Sequence, residues 1–217
     1  MNATFFKHRL IFKQPSGTSR GVLIHKDTWL IELEDNGLKG VGECGMFKGL
    51  SIDHRDDFEL KLKWACQNIH LGLEALLGQL IAFPSIQFGL EMAFTSLNQK
   101  SPFELFPSEF TRGQGSIPIN GLIWMGESSF MKKQIKVRLK AGFSCIKLKI
   151  GALHFDKELA LLKSIRDEFS AQTIEIRVDA NGAFNPIEAL EKLKRLSDFN
   201  IHSIEQPIKQ GQLQEMA

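Results

Sequence analysis

Lys147-Leu148-Lys149, Asp179-Ala180-Asn181 and Glu205-Gln206-Pro207 each close a stretch that reads as a buried strand, and Lys149, Asp179 and Glu205 follow one another at intervals of thirty and twenty-six residues. Lysines and acids at the ends of successive strands are what a (β/α) barrel uses to hold a cation and a base over one substrate. Asp179 and Glu205 on neighbouring strands suit a hard divalent ion, Mg²⁺ or Mn²⁺ in its place, because such ions prefer carboxylate oxygens. No histidine or thiol occupies a comparable position, which argues against zinc.

Lys147 and Lys149 are two residues apart and point to one face of a strand. Two converging ammonium groups repel, so at least one is expected to have a depressed pKa and to serve as a base near neutrality. Opposite a divalent ion, such a lysine removes a proton α to a carboxylate, and the product of that step opens to isomerisation or to dehydration. Blander readings stand beside this one. The lysines could solubilise a half-exposed strand, Asp179 could be a solvent-facing acid before an Asn-Gly turn, and Glu205 could pair with a core lysine. A phosphate site would want glycines and a helix N-terminus, of which Gly151 is a weak hint.

The elements that must position these residues fall into two parts. In the first, Leu10-Ile11-Phe12 is a short apolar run, Pro15 to Ser19 is a loop by composition, and Gly21 to Glu34 reads as a strand. Asp35-Asn36-Gly37 supplies a turn, and Lys39 to Cys44 returns as an antiparallel partner. Gly45 to Ser51 is a second loop. From Phe58 through Leu62, Cys66, Ile69, Leu73, Leu76 and Leu80 the apolar period is three or four, which predicts one long amphipathic helix. Phe83-Pro84-Ser85 breaks it, and Phe88 to Leu97 forms a second helix in which Glu91 is expected to be peripheral. Ser101 to Gly115 reads as a linker.

Beyond the linker, strand alternates with helix. Strands are expected at 117–121, 143–150, 174–179 and 201–205, with helices over Ser128 to Lys140, from about Asp156, and after Asn185. The last begins with Asn185 as N-cap, Pro186 in the first turn and Glu188 three residues on, ahead of Leu190, Leu193 and Leu196. Four strands and three helices in βα order amount to half a barrel, whereas a full one takes roughly 250 residues. The rest of the barrel is expected to be missing from the 217 residues.

Composition excludes several classes. Twenty-seven basic against 25 acidic residues leave a formal charge of +2, with no surplus to grip nucleic acid. No stretch approaches the ~20 apolar residues of a membrane span, and the N-terminus lacks a signal-peptide pattern, so a cytoplasmic protein is expected. Cys44, Cys66 and Cys145 are odd in number and far apart, which fits reduced thiols. Neither GxGxxG nor GxxxxGK[ST] follows a candidate strand.

These motifs together resemble the enolase superfamily. Lys147-x-Lys149, Asp179-Ala180-Asn181-Gly182-Ala183-Phe184 and Ile204-Glu205-Gln206-Pro207 are similar to its second-, third- and fourth-strand motifs in order. Pro84 to Ala93 and Ile117 to Leu122 are similar to stretches of its o-succinylbenzoate synthase family, which serves menaquinone biosynthesis. The resemblance implies an α+β capping domain followed by an incomplete (β/α) TIM-type barrel, divided as residues 1–112, with the linker, and 113–217. It implies a hydro-lyase acting on a small-molecule carboxylate, with Lys149 as base and Lys147 tuning it beside the substrate carboxylate. Asp179 and Glu205 would be Mg²⁺ ligands and Asn181 a hydrogen-bonding support. Loops near Pro15 to Arg20 and Gly45 to Ser51 would close over the succinyl side, with Arg20 as a substrate-binding cation. A third metal-binding acid and an opposite-face lysine would lie on later strands. Two alternatives stay open: another enolase-type enzyme, such as a dipeptide epimerase or muconate cycloisomerase, and a non-catalytic barrel fragment needing a second polypeptide. Oligomeric state is not legible.

Overall fold

A computed structural model describes residues 1–18, 21–99, 101–124 and 126–217, which fall into two compact units. One comprises Met1–Ser16 and Val22–Ile117, and the other includes Pro118–Ala217. Among the described residues no helix is long and apolar enough to cross a membrane.

The first unit is a three-stranded sheet in the order β1 (Asn2–Thr18), β2 (Gly21–Asp35), β3 (Leu38–Cys44), covered by helices. β2 and β3 pair antiparallel around the expected turn, with Trp29 opposite Cys44 and Asp35 opposite Leu38. Trp29, Ile31 and Leu33 alternate along β2 and face the core. The expected loop at Pro15 is instead the end of β1. That strand lies at the sheet edge, the position in a sheet where proline is tolerated.

The long helix expected from Phe58 to Leu80 is three pieces: α1 (Phe58–Gln67), a 3₁₀ turn at Ile69–Leu71 and α2 (Leu73–Gln79). Asn68 folds its side chain back to donate to the Trp64 carbonyl at 2.8 Å, and Gly72 adopts φ +81°, a left-handed value that interrupts the helix. The apolar period survives the breaks, because Phe58, Leu62, Cys66, Ile69, Leu76 and Leu80 are all buried. α3 (Pro84–Leu97) begins four residues earlier than expected. Pro84 stands at its first turn, where the missing N–H is harmless, and Asp53 accepts from Ser85 N at 2.7 Å. Glu91 is exposed, as expected. α3 lies close on β3, since a Cβ at Gly42 would overlap the Gly89 carbonyl oxygen and stand 2.8 Å from Ala93 N.

The second unit is a parallel sheet in sequential order, β4 (Gly121–Ile123), β5 (Cys145–Lys149), β6 (Glu175–Asp179) and β7 (Ser203–Glu205). Between the strands run α4 (Ser128–Lys140), α5 (Phe155–Arg166) and α6 (Pro186–Ser197), and α7 (Leu213–Met216) follows β7. The first strand starts at Gly121, not Ile117: Pro118 has no N–H to donate, and Ile117 and Ile119 are exposed. Ile146, Leu148, Ile176 and Val178 turn one face of the sheet toward Met131, Ile135, Leu159, Leu162, Ile165 and Leu196. Strand alternation then places Lys147 and Lys149 on the other face. On α6 only Leu196 of the three expected leucines is fully buried, with Ala189, while Leu190 is exposed.

Candidate active site

Lys149 is the last residue of β5, Asp179 of β6 and Glu205 of β7, and the sheet register pairs Lys149 with Asp179 and Asp179 with Glu205. Adjacent strands are about 4.8 Å apart, so three functional groups stand side by side at one edge of the sheet. This is the carboxyl end of parallel strands, where barrel enzymes build their sites.

Local backbone bonds hold these ends. Ile150 N donates to Asp179 O at 2.9 Å, Ala180 N to Glu205 O at 3.1 Å, Gly182 N to Gln206 O at 2.7 Å and Phe184 N to Pro207 O at 3.0 Å. The segment after β6 is therefore zipped to the segment after β7. Asn181 and Gln206 reach this arrangement with left-handed φ values of +47° and +45°. Asparagine tolerates such a value comparatively well, whereas glutamine there is uncommon.

The side chains form one connected cluster. Lys149 Nζ donates to Asp179 Oδ2 at 2.5 Å and to Asn181 Oδ1 at 3.2 Å. Asn181 returns two bonds to Asp179 Oδ1, from its backbone N at 2.9 Å and its Nδ2 at 2.7 Å. Lys147 Nζ donates to Glu205 Oε2 and lies 3.5 Å from Asp179 Oδ2. The Asp179 side chain is 1% exposed and that of Glu205 60%.

Burial alone would raise the Asp179 carboxyl, but the Lys149 hydrogen bond, the Asn181 N–H and the two ammonium charges outweigh it and hold the group below the usual carboxylate range. Of the two lysines, at least one of which is expected from the sequence to be depressed, Lys147 is not that one. Its hydrogen bond to Glu205 is the largest influence and raises its pKa, burial opposes this, and the charges of Glu205 and Asp179 add to the rise. For Lys147 the carboxylates of Glu205 and Asp179 decide the direction.

Asp179 and Glu205 supply hard oxygen donors in adjacent register. Cys145 lies at the far end of β5, bonded to Glu175 at 3.3 Å. The donor set fits part of a Mg²⁺ shell, an ion that keeps several waters and takes one or two carboxylates. Among the described residues no group of three or more His, Cys, Asp or Glu is assembled. The structure brings together Lys147, Lys149, Asp179, Asn181 and Glu205. Arg20 lies outside the described residues.

One neighbouring acid escaped the sequence reading. Glu158, buried on α5, accepts through one oxygen from three consecutive amides: Gly151 N at 2.7 Å, Ala152 N at 3.2 Å and Leu153 N at 3.0 Å. Its carboxyl is raised by burial, which those bonds only partly counteract. The amides that made Gly151 a hint of phosphate binding are thus filled by the protein's own carboxylate. A signal existed, since Glu158 shares the helical stripe of Leu162 and Ile165, where an acid has no solvation to gain.

Residues 131–217 match the family described as enolase C-terminal domain-like. The whole chain is 44% identical, over 248 aligned positions, to the o-succinylbenzoate synthase of Desulfotalea psychrophila and spans 67% of that enzyme's length. The crystal structure of MenC from D. psychrophila superposes with a TM-score of 0.83 at 39% identity, covering 100% of this chain and 67% of that one. The hydrophobic dipeptide epimerase of Enterococcus faecalis is 25% identical over 95% of this chain and 60% of its own. An o-succinylbenzoate synthase from Thermosynechococcus elongatus, complexed with Mg in its active site, shares the fold, with a TM-score of 0.76 at 24% identity over 100% of this chain and 64% of that one. The chain belongs to the enolase superfamily, with its strong homology to the o-succinylbenzoate synthases within it.

Proposed function

We propose that this chain carries the base and two metal ligands of an o-succinylbenzoate synthase, a hydro-lyase acting on 2-succinyl-6-hydroxy-2,4-cyclohexadiene-1-carboxylate. The observation that carries the reading is the Lys149–Asp179–Asn181 and Lys147–Glu205 cluster at the strand ends, in a chain 44% identical to a synthase. Asp179 and Glu205 would hold Mg²⁺, which when bound offsets the negative charge developing on the substrate carboxylate.

Lys149, as its neutral amine, takes the proton α to the carboxylate, and the C–H electron pair moves into the ring. The C–O bond to the ring hydroxyl then breaks on the same face, that oxygen takes the proton from the Lys149 ammonium, and water departs as the ring becomes aromatic. One residue so serves as base and then acid, a syn dehydration. Asn181 orients both partners, since it accepts from Lys149 and donates to Asp179. Lys147 holds positive charge beside the base and the substrate carboxylate.

The test is to assay the whole polypeptide that bears this chain with the cyclohexadiene substrate and, in parallel, with hydrophobic dipeptides in deuterated water. Expected is loss of diene absorbance that requires Mg²⁺ and stops with chelator. Exchange of a dipeptide α-proton without any dehydration would replace this reading with an epimerase.

A further inference from the structure

We propose that Glu158 is a positioning residue for Lys149: its carboxylate ties the turn after β5, which packs on the turn after β6, to α5 and so fixes the base relative to Asp179 and Asn181. The proposal rests on the reading of Lys149 as the base. Three consecutive N–H groups converging on one point form an anion-binding concavity. Here its occupant is Glu158 Oε1, held by bonds of 2.7, 3.2 and 3.0 Å. The acid is only 2% exposed, and burying it is tolerable because those amides replace its water.

The locked turn begins two residues after Lys149. Gly151 has φ +91°, and a Cβ there would overlap the Ala183 side chain and lie 3.2 Å from Ala180 O. Ala180 and Ala183 flank Asn181 and Gly182, so the two turns are in direct contact. On its other side, the Ile150 N–H is bonded to Asp179 O at 2.9 Å. The backbone that carries Lys149 is therefore clamped by Asp179 and by Glu158. Removing the Glu158 oxygen frees three amides at once and leaves only the Asp179 side of the clamp.

The experiment compares Glu158→Ala, Glu158→Gln and Glu158→Asp in the whole polypeptide. Gln keeps a carbonyl acceptor at the same reach, whereas Asp keeps the charge and withdraws the oxygen by one methylene. Turnover is read as kcat and KM. Lys149 placement is read without substrate, as its rate of competitive acetylation relative to exposed Lys132, by mass spectrometry.

Displacing a catalytic group by about 1 Å can cost about a hundredfold, so Ala and Asp are expected to lower kcat by roughly ten- to a hundredfold with KM within about twofold. Gln is expected to recover most of the turnover, and the acetylation ratio to move in Ala and Asp but not in Gln. If Ala does not fold, the Asp–Gln pair carries the comparison. Wild-type kcat per folded molecule and an unmoved ratio in every variant, with only the melting temperature lowered, would overturn the proposal in favour of plain helix anchoring. If the wild type removes no α-proton, the functional reading falls and the acetylation ratio alone decides: moved in Asp and kept in Gln supports positioning, and unmoved in both refutes it.

Discussion

Replacing Lys149 by methionine separates the catalytic and structural consequences of one side chain, because the volume is nearly kept while the ammonium is lost. Two bonds disappear, to Asp179 Oδ2 at 2.5 Å and to Asn181 Oδ1 at 3.2 Å. Asp179 keeps two donors from Asn181, at 2.9 and 2.7 Å, and Lys147 at 3.5 Å. The loss of one charge-assisted bond to a buried carboxylate costs about 1.5–3 kcal/mol of stability. A positioned general base contributes about 10²–10⁴ in rate, or about 2.7–5.4 kcal/mol of barrel-site barrier at 1.36 kcal/mol per tenfold. Activity is thus expected to fall by at least about a hundredfold while the protein stays folded and Mg²⁺ affinity, for which Asp179 and Glu205 are the proposed ligands, changes little.

The stability deficit also has a pH signature, measurable by denaturant titration with chelator present. The Asp179 carboxyl is held below its ordinary value in the wild type, so the stability it contributes is present above the unfolded carboxylate pKa, about 3.9, and is lost as pH falls through the lower folded value. The variant lacks the closest lysine and has less to lose. Its deficit against the wild type should be full near neutrality and shrink once the carboxylate protonates. Turnover within tenfold of wild type would remove Lys149 as the base, and a deficit that grows on acidification would refute the pairing argument.

Three other outcomes follow from the geometry. Gly42→Ala forces a methyl against the α3 backbone at Gly89 and Ala93, an overpacking worth about 1–3 kcal/mol, and an unchanged melting temperature would contradict the close approach. Asn185→Ala removes the oxygen that accepts from Ile187 N at 3.0 Å and should cost about 1 kcal/mol in chemical denaturation. Thiol labelling at mildly alkaline pH should modify Cys145 first. Cys66, whose thiol burial pushes up to about 11, should react later, and Cys44, pushed higher still by burial, last; early loss of Cys44 would show that β3 opens readily.

The parts of the fold that were legible in the sequence are those where period and position agree. The β5 and β6 strands and α4 fall where alternation and periodicity put them, because each buries one face against the same core. The helix break at Asn68 and Gly72 was hidden by an apolar period that continues across it, since the buried stripe is satisfied with or without an unbroken backbone. Pro15 misled for the opposite reason, as a loop signal on an edge strand that tolerates it. At the site, the motifs identified the residues that meet but not their pairing. Which lysine faces which carboxylate depends on parallel register, and the pattern within one strand does not reveal its neighbour's stagger. Glu158 could be noticed as an acid on the apolar stripe of α5, but its partners could not be named, because they are backbone amides, which carry no residue identity.

Asp179 is buried, whereas its partner across the strands is not. Glu205 is open to solvent, and an exposed ion pair contributes about 0–1 kcal/mol, too little to hold a ligand geometry by itself. The main chain does the holding instead: the carbonyls of Glu205, Gln206 and Pro207 accept in turn from Ala180, Gly182 and Phe184. Each bond fixes a residue of one strand end against the other, so the backbone positions from which the two carboxylates project are set before any side chain chooses a rotamer. In the proposed reaction, proton removal α to a carboxylate draws on that frame and on Lys149 as the base. Whether dehydration or isomerisation follows is then a property of the substrate's leaving group and of how it is oriented, not of this frame.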